Sequence, residues 1–236
     1  MKGKRLFVGA LTCALTIVCA PTFISTAKEP TVDPSKFVRD VTNKFFPLKP
    51  GTTFFYEGTR DGVPSRNETN VTHRTKRIVG VRCIEVHDQA FENGILVEDT
   101  LDWYAQDIYG NVWYFGEDSK ELDPGGNVIS TQGSWEAGVN DAQPGIIMEA
   151  DPQVGDRYSQ EIAKGVAEDM ARVLSLDEAT CVAYGCFDHL LLTRETSRLD
   201  PGVVEQKYYA AGVGFILAVM TKGGDERSEL VSITTE

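Results

Sequence analysis

Acidic and aromatic side chains are concentrated in one stretch, DWYAQDIYGNVWYFGED, between Asp102 and Asp118. Carboxylate oxygens can bind a metal ion, and aromatic rings can line a site for a sugar or an apolar ligand. A calcium loop also needs more oxygen ligands at alternate positions and a closing bidentate Glu, which this stretch lacks in register. The stretch therefore favours hydrophobic packing or ligand contact, and neither a metal nor a cofactor is predicted.

The same stretch has the two-residue periodicity of a β-hairpin. Apolar and polar side chains alternate on both sides of a tight turn in which Asp107, Gly110 and Asn111 are typical turn formers. Both faces of the second strand are apolar, so one face fills the core and the other meets a covering loop or a ligand. The side chains predicted to contact a ligand are Trp103, Tyr104, Trp113, Tyr114, Trp135 and Met148.

Catalytic motifs are scarce in this chain. The three histidines have no metal-ligand spacing, GSWEAG is not a nucleophile elbow, and no phosphate loop occurs. The sequence GVGFIL lacks the third glycine of a dinucleotide site. Glu161, Glu168 and Asp169 lie in an irregular region where an acid and base pair of a hydrolase or lyase is conceivable. No catalytic residue is predicted, and enzymatic activity stays an alternative.

The first 27 residues have the three parts of a signal peptide. Lys2, Lys4 and Arg5 precede an apolar run over residues 6–20, and the triplet Ser25-Thr26-Ala27 gives a cleavage site after residue 27. An uncleaved anchor needs a longer unbroken apolar run, and a lipid attachment at Cys19 is the other alternative. We therefore expect a secreted or periplasmic protein with no membrane span in its mature chain.

Export changes the charge of the chain. Residues 1–27 contain three basic and no acidic residues, so their removal changes the formal net charge from −12 to −15. Nucleic acid and anionic membranes recruit Lys and Arg, so such an acidic surface disfavours both as partners. A small apolar or amphipathic molecule is the partner that the composition and the aromatic side chains leave open.

Three cysteines remain after residue 27. Cys181 and Cys186 flank a Gly-containing turn in CVAYGC, and we expect them to form a cross-strand disulfide in an oxidising compartment. Cys83 lies in the alternating pattern IVGVRCIEV and is expected to be a buried, free thiol.

The rest of the chain predicts an all-β fold. About a dozen runs rich in β-branched and aromatic residues are separated by Asn-Gly, Asp-Gly and Gly-Gly turns. This spacing predicts an antiparallel meander that forms a curved sheet, a half-barrel or a barrel with little helix. The predicted organisation is a signal peptide at 1–27, a leader at 28–50 that is partly helical, and a single β domain at 51–236. The stretch 136–168 is predicted to be mainly loops. The sequence GVAEDMARVL, residues 165–174, is predicted to contain a strand beginning near Met170, with a helical turn as the alternative.

Three short motifs resemble a broad group of uncharacterised secreted bacterial β-proteins. The motifs are PGTTFFYEG, CFDHLLLTRE and YYAAGVGFI. The matching positions are Pro50, Gly51 and Thr52, Gly185 and Phe187, and Tyr208, Tyr209, Ala210, Gly212, Val213 and Gly214. The resemblance implies a curved antiparallel sheet akin to lipocalin-like or lipoprotein-carrier half-barrels, and it implies no catalytic residue.

Together these features indicate an exported binding or structural module whose sheet holds an apolar or amphipathic small ligand. The alternative is a carboxylate-dependent hydrolase or lyase that acts on an extracellular substrate.

Overall fold

The computed structural model describes residues 32–236, so the predicted signal peptide lies outside the described residues. Within residues 32–236, no helix has the length and apolar character needed to cross a membrane. A single 3-10 turn, Pro34–Lys36, precedes the strands. The strands are β1 Val41–Thr42, β2 Pro47–Leu48, β3 Thr52–Arg60, β4 Val63–Ile78, β5 Val81–Glu92, β6 Ile95–Gln106, β7 Val112–Leu122, β8 Val128–Ser130, β9 Trp135–Glu136, β10 Gln143–Met148, β11 Arg157–Ser159, β12 Glu161–Ile162, β13 Asp169–Val182, β14 Gly185–Ser197, β15 Val204–Ala210, β16 Gly214–Lys222 and β17 Glu226–Thr235.

The prediction of an all-β antiparallel fold is confirmed. Strands β3 to β17 form one 15-stranded sheet, and β1 and β2 form a separate two-stranded pair. The order along the large sheet is β11-β13-β14-β15-β16-β17-β3-β4-β5-β6-β7-β10-β12, with β8 and β9 also paired to β7. The last strand therefore pairs with the first long one, Glu226 opposite Arg60, which joins the two halves of the meander.

The two edges of the sheet meet through one short segment, which nearly closes the sheet into a barrel. Strand β11 pairs with β13 at one edge, and β12 pairs with β10 at the other. Gln160 lies between them, and its backbone N–H donates to the Asp169 carbonyl over 2.8 Å. The region 136–168 was predicted to be mainly loops, but it contains four short strands, β9 to β12, because the barrel needs this segment to cover its open edges.

The predicted helix in the leader is wrong. The segment forms one 3-10 turn, capped by the Asp33 carboxylate on the Ser35 N–H, and then the β1–β2 pair. The Asn43 side-chain oxygen accepts from the Phe45 N–H, which bends the chain sharply between the two strands. Pro47 follows too soon for a helix to extend.

The leader crosses one end of the barrel, which we call the leader end; the opposite end is the distal end. Asn43 Nδ2 donates to the Gly110 carbonyl over 2.9 Å, and the Gly212 N–H donates to the Lys44 carbonyl over 2.8 Å. Gly110 and Gly212 lie in the β6–β7 and β15–β16 turns, on different sides of the sheet. The leader thus spans the barrel and covers this end.

A hydrophobic cluster lies on the outer face of β7, where the first leader residues cover the sheet. Phe115 is fully buried, and its ring centroid lies 5.5 Å from that of Phe37. The Ala137 N–H donates to the Phe115 carbonyl, so the segment after β9 covers the same region. On this face of β7, the apolar side chains meet covering segments of the chain itself.

The predicted disulfide joins Cys181 and Cys186 at the tip of the β13–β14 hairpin, and Cys83 is a buried free thiol. Pairing between β14 and β15 ends at Leu191, so the hairpin tip extends beyond the neighbouring strands. The Tyr184 N–H donates to the Leu230 carbonyl over 3.0 Å, in the part of β17 that no longer pairs with β16. The tip therefore links strands that the sheet does not pair.

We expect the double substitution Cys181→Ser and Cys186→Ser to lower the free energy of unfolding by about 2 kcal/mol, because the bridge closes only a short loop in the unfolded chain. The melting temperature should fall by about 4–8 °C for a domain of this size. Thermal unfolding followed by circular dichroism measures this change. Addition of a thiol reductant should lower the melting temperature of the natural chain and leave the double variant unchanged; equal melting temperatures without reductant would contradict the account.

Candidate functional site

A cavity of about 290 Å³ lies inside the barrel, beneath the leader. It is lined by Phe46, Pro47, Leu48, Phe54, Tyr56, Asn67, Thr69, Val86, Asp88, Asp102, Tyr104, Ile147, Glu205, Lys207, Tyr209, Val213, Gly214, Phe215, Ala218, Glu226 and Ser228. These residues come from the leader, from seven long strands of the sheet, from β10 and from the β15–β16 turn. Because side chains alternate between the two faces of a strand, the meander delivers every second residue to this interior.

The part of the cavity near the leader end is apolar and aromatic. The rings of Tyr56 and Phe215 lie 5.0 Å apart, and the rings of Phe46 and Tyr104 lie 5.3 Å apart. The Tyr56 hydroxyl donates to the Phe215 carbonyl over 3.2 Å, so its polar end is satisfied within the wall. These rings offer flat apolar surfaces to any molecule that enters.

The part nearer the distal end is polar and acidic. Asp88 and Asp102 lie on neighbouring strands, and the register places Asp88 opposite Thr100, two residues from Asp102. The two aspartates are therefore diagonal neighbours on one face of the sheet. Asp88 accepts hydrogen bonds from Asn67 Nδ2 over 3.3 Å and from Thr69 Oγ1 over 3.1 Å. No cation is within ion-pair distance of either carboxylate among residues 32–236.

Asp102 is the most enclosed carboxylate of the cavity wall. The residue is only 8% exposed, and its Oδ1 accepts a hydrogen bond from the Tyr114 hydroxyl over 2.5 Å. Its Oδ2 has no hydrogen-bond donor among the described residues. One oxygen of a buried carboxylate in the wall is thus left without a protein partner.

The two basic side chains near the cavity are each held by two other carboxylates. Lys207 Nζ lies 2.8 Å from Glu195 Oε2 and 3.2 Å from Glu205 Oε2. Arg60 contacts Glu226 over 3.0 Å and Glu92 over 3.5 Å. Their charges are therefore used within these ion pairs, and the surroundings of Asp88 and Asp102 stay acidic.

Burial and mutual repulsion hold protons on several interior carboxyl groups. Burial raises the pKa of Asp102 to about 7, the Tyr114 hydrogen bond lowers it in part, and the charge of Asp88 raises it further. Burial, followed by the charges of Asp102 and Glu161, raises the pKa of Glu117 to about 9. Burial and the charge of Asp169 raise the pKa of Glu161 to about 8.

Three of the six predicted ligand residues form one aromatic group beside the cavity. Tyr104 lines the cavity, and its ring stacks on Tyr114 with centroids 4.7 Å apart. The Trp135 ring meets Tyr114 edge to face at 5.4 Å. Of the six residues only Tyr104 is in the cavity wall, while Tyr114 reaches the cavity indirectly through its hydrogen bond to Asp102. The ligand role of this group stays a prediction.

The other three predicted residues are placed elsewhere. Trp103 lies under the Lys76 ammonium, which is 3.5 Å from its ring centroid, and its Nε1 donates to Glu85. Trp113 Nε1 donates to Asp107 Oδ2 over 2.9 Å, which fixes the turn of the predicted hairpin. Met148 is fully buried in the core. Each of these side chains has a structural contact that accounts for its position.

The carboxylates of the enzymatic alternative lie near the seam of the barrel. Glu161 and Glu168 line a second cavity of about 270 Å³. Glu168 Oε1 accepts the Gly165 N–H over 2.7 Å, and Asp169 begins β13. Glu161 and Glu168 thus share one cavity wall, and Asp169 lies outside that wall but raises the pKa of Glu161 through its charge.

Asp88, Asp102 and Lys207 were missed as site residues. A signal exists in the sequence: Asp102 stands between Leu101 and Trp103 in a strand, so a carboxylate occupies the face opposite two apolar side chains. Sequence alone assigns that face to solvent. This face of β6 lies inside the protein only because the sheet closes into a barrel.

The fold and the cavity define a class, a nearly closed antiparallel β-barrel with a partly acidic internal cavity. No family model matches the chain, and no curated protein sequence is similar to it. Two solved structures are similar in shape. One, from Bacteroides fragilis, is described as an exported protein with a YmcC-like fold. It is 13% identical to this chain with a TM-score of 0.48, and the match covers 82% of this chain and 100% of that chain. The other, from Parabacteroides distasonis, is described as a lipoprotein. It is 12% identical to this chain with a TM-score of 0.45, and the match covers 83% of this chain and 100% of that chain. Such identities carry no function across, so the site is interpreted from its own residues.

We expect Glu117→Gln to stabilise the protein more at about pH 8 than at about pH 5. The pKa of Glu117 is raised on folding, so the contribution of its proton to stability is complete below the ordinary value of 4.5 and is lost as the pH rises toward about 9. Glutamine keeps the shape and removes this loss. Thermal unfolding at the two pH values should show the melting temperature of the variant exceeding that of the natural chain by about 2–4 °C or more at the higher pH.

Asp118→Asn provides the matched control, because Asp118 is the next residue, lies on the other face of β7 and pairs with Lys120 over 2.8 Å. It removes one negative charge without changing the interior, so its effect should be small and nearly independent of pH. Equal pH profiles for the Glu117→Gln variant and the natural chain would show that Glu117 does not titrate as its burial requires.

Proposed function

We propose that this protein is an exported β-barrel that binds a small amphipathic molecule in its internal cavity. One observation carries the proposal: the wall of a single cavity changes from aromatic near the leader end to carboxylate-rich nearer the distal end. Ligand pockets generally combine apolar walls with a few placed polar groups, and their volumes begin at about 300 Å³. A cavity of about 290 Å³ therefore suits a small ligand.

The polarity of the wall orients the ligand. Phe54 and Phe215 offer an apolar surface at the end that the leader covers, and Leu48 of the leader completes it. Asp88, Asp102 and other polar groups offer hydrogen-bond partners further along the barrel. An apolar part is accommodated toward the leader and a polar part toward the distal end, because each is then placed where water removal costs least.

Export is supported by residues in two parts of the chain. The first 27 residues have the pattern of a signal peptide, and Cys181 and Cys186 form a disulfide, a bond that persists in oxidising compartments. The acidic surface favours solubility outside the cell.

We expect octanol, a neutral amphiphile, to bind the natural chain with one site, measured by isothermal titration calorimetry. Ala218→Leu should weaken this binding by at least about tenfold, because Ala218 lines the cavity and the larger side chain occupies part of it. Val219→Leu is the matched control: the next residue points to the other face of β16, so binding should persist. Octanol that binds the folded Ala218→Leu variant as tightly as the natural chain would overturn the proposal.

The second candidate function is a hydrolase or lyase at the second cavity. The observation that favours it is that Glu161 and Glu168 share the wall of this cavity with the basic side chains of Lys164 and Arg198. Single substitutions Glu161→Gln, Glu168→Gln and Asp169→Asn, tested for turnover of a panel of nitrophenyl glycosides, separate the two functions. An enzyme should lose turnover while its melting temperature is kept; a natural chain without turnover counts against this candidate.

A further inference from the structure

We propose that the ligand carries a positively charged nitrogen, so that the cavity takes a small amphipathic amine in preference to a neutral or anionic molecule. The inference rests on the proposed function and specifies the chemical class of its ligand. It depends on three features of the cavity: a carboxylate oxygen in its wall without a protein donor, the absence of a neutralising cation beside it within residues 32–236, and the aromatic rings that complete the wall.

The first feature is the free oxygen of Asp102. The side chain is more than nine-tenths buried, lines the cavity, and has one oxygen without a donor among the described residues. A carboxylate oxygen accepts hydrogen bonds, and this one receives none from the protein. A ligand N–H in the cavity supplies the missing donor.

The second feature is the local charge. The charged groups that act on Asp102 are Asp88 and Glu98, and both are acidic. Asp88 receives hydrogen bonds from the neutral side chains of Asn67 and Thr69. Lys207 and Arg60 are already held by carboxylate pairs. No basic side chain within residues 32–236 pairs with the two aspartates. A ligand cation beside them is therefore attracted by their charges, whereas an anion is repelled.

The third feature is the aromatic wall next to the aspartates. Tyr104 follows Asp102 by two residues on the same strand and lines the same cavity, and Tyr56 of β3 also lines it. The faces of aromatic rings carry negative electrostatic potential and attract ammonium groups. Rings and carboxylates together accommodate an ammonium group and the apolar part bonded to it, whereas carboxylates alone attract any solvated cation.

The test compares three ligands of equal chain length: octylamine, octanol and octanoate. At about pH 8 the amine is cationic and the acid is anionic. We expect octylamine to bind the natural chain at least about tenfold more tightly than octanol, and octanoate to bind most weakly. Isothermal titration calorimetry gives the three dissociation constants.

Asp102→Asn should remove most of the preference for octylamine over octanol, because the amide keeps the volume of the side chain but cannot attract a cation. Asp88→Asn is the second variant and should reduce the preference in the same direction. Asp118→Asn removes the same charge on the other face of the sheet and should leave the preference unchanged. Melting temperatures confirm that each variant is folded.

The possible outcomes separate the two proposals. Octanol and octylamine that bind equally well would overturn the amine inference while the amphipathic cavity stands. A preference for octylamine that persists in the folded Asp102→Asn and Asp88→Asn variants would overturn it as well. Binding of none of the three ligands would overturn both proposals.

Discussion

The alternation of side chains along a β-strand is the constraint on which this structure depends. In a sheet that closes on itself, one set of alternate residues faces solvent or a covering segment, and the other set faces an enclosed space. Leu191 and Leu230 fill that space toward one end of the barrel, and both are fully buried. Asp102 and Glu117 occupy equivalent inward positions further along, opposite each other on neighbouring strands. The cavity lies where apolar packing gives way to mutually repelling carboxylates.

An acidic interior destabilises the folded chain, so other contacts must offset it. The leader covers one end through hydrogen bonds to turns on two sides of the sheet. The disulfide-linked hairpin connects to Leu230 where the strands separate. The aromatic cluster around Phe115 buries the outer face of β7. Together these contacts stabilise a barrel whose interior carboxyl groups repel one another.

Much of the fold was predictable from local sequence signals. The turn residues Asp107 and Asn111 form the predicted hairpin turn, and the Asp107 carboxylate accepts both the Asn111 N–H and the Trp113 indole N–H. Cys181 and Cys186 pair because their spacing across the turn places them opposite each other. These features depend on neighbouring residues, which is why pattern and spacing were sufficient.

The site was less predictable because it depends on how distant strands meet. Trp103 and Trp113 were predicted to contact a ligand because they are aromatic. Their indole N–H groups instead donate hydrogen bonds to Glu85 and Asp107. Asp102 looked like an ordinary solvent-facing residue of an amphipathic strand. Its burial follows from the pairing of β17 with β3 and from the seam at β11 and β12, which no local pattern specifies. The leader was also misjudged, since its apolar spacing fits a short helix as well as a strand pair.

Native mass spectrometry of the mature chain, residues 28–236, purified from its own exported compartment without detergent, tests the central claim most directly. We expect a reproducible extra mass that is lost on denaturation and belongs to a small amphipathic molecule containing a basic nitrogen. A native mass equal to that of the bare chain with one disulfide, unchanged when octanol or octylamine is added, would contradict it.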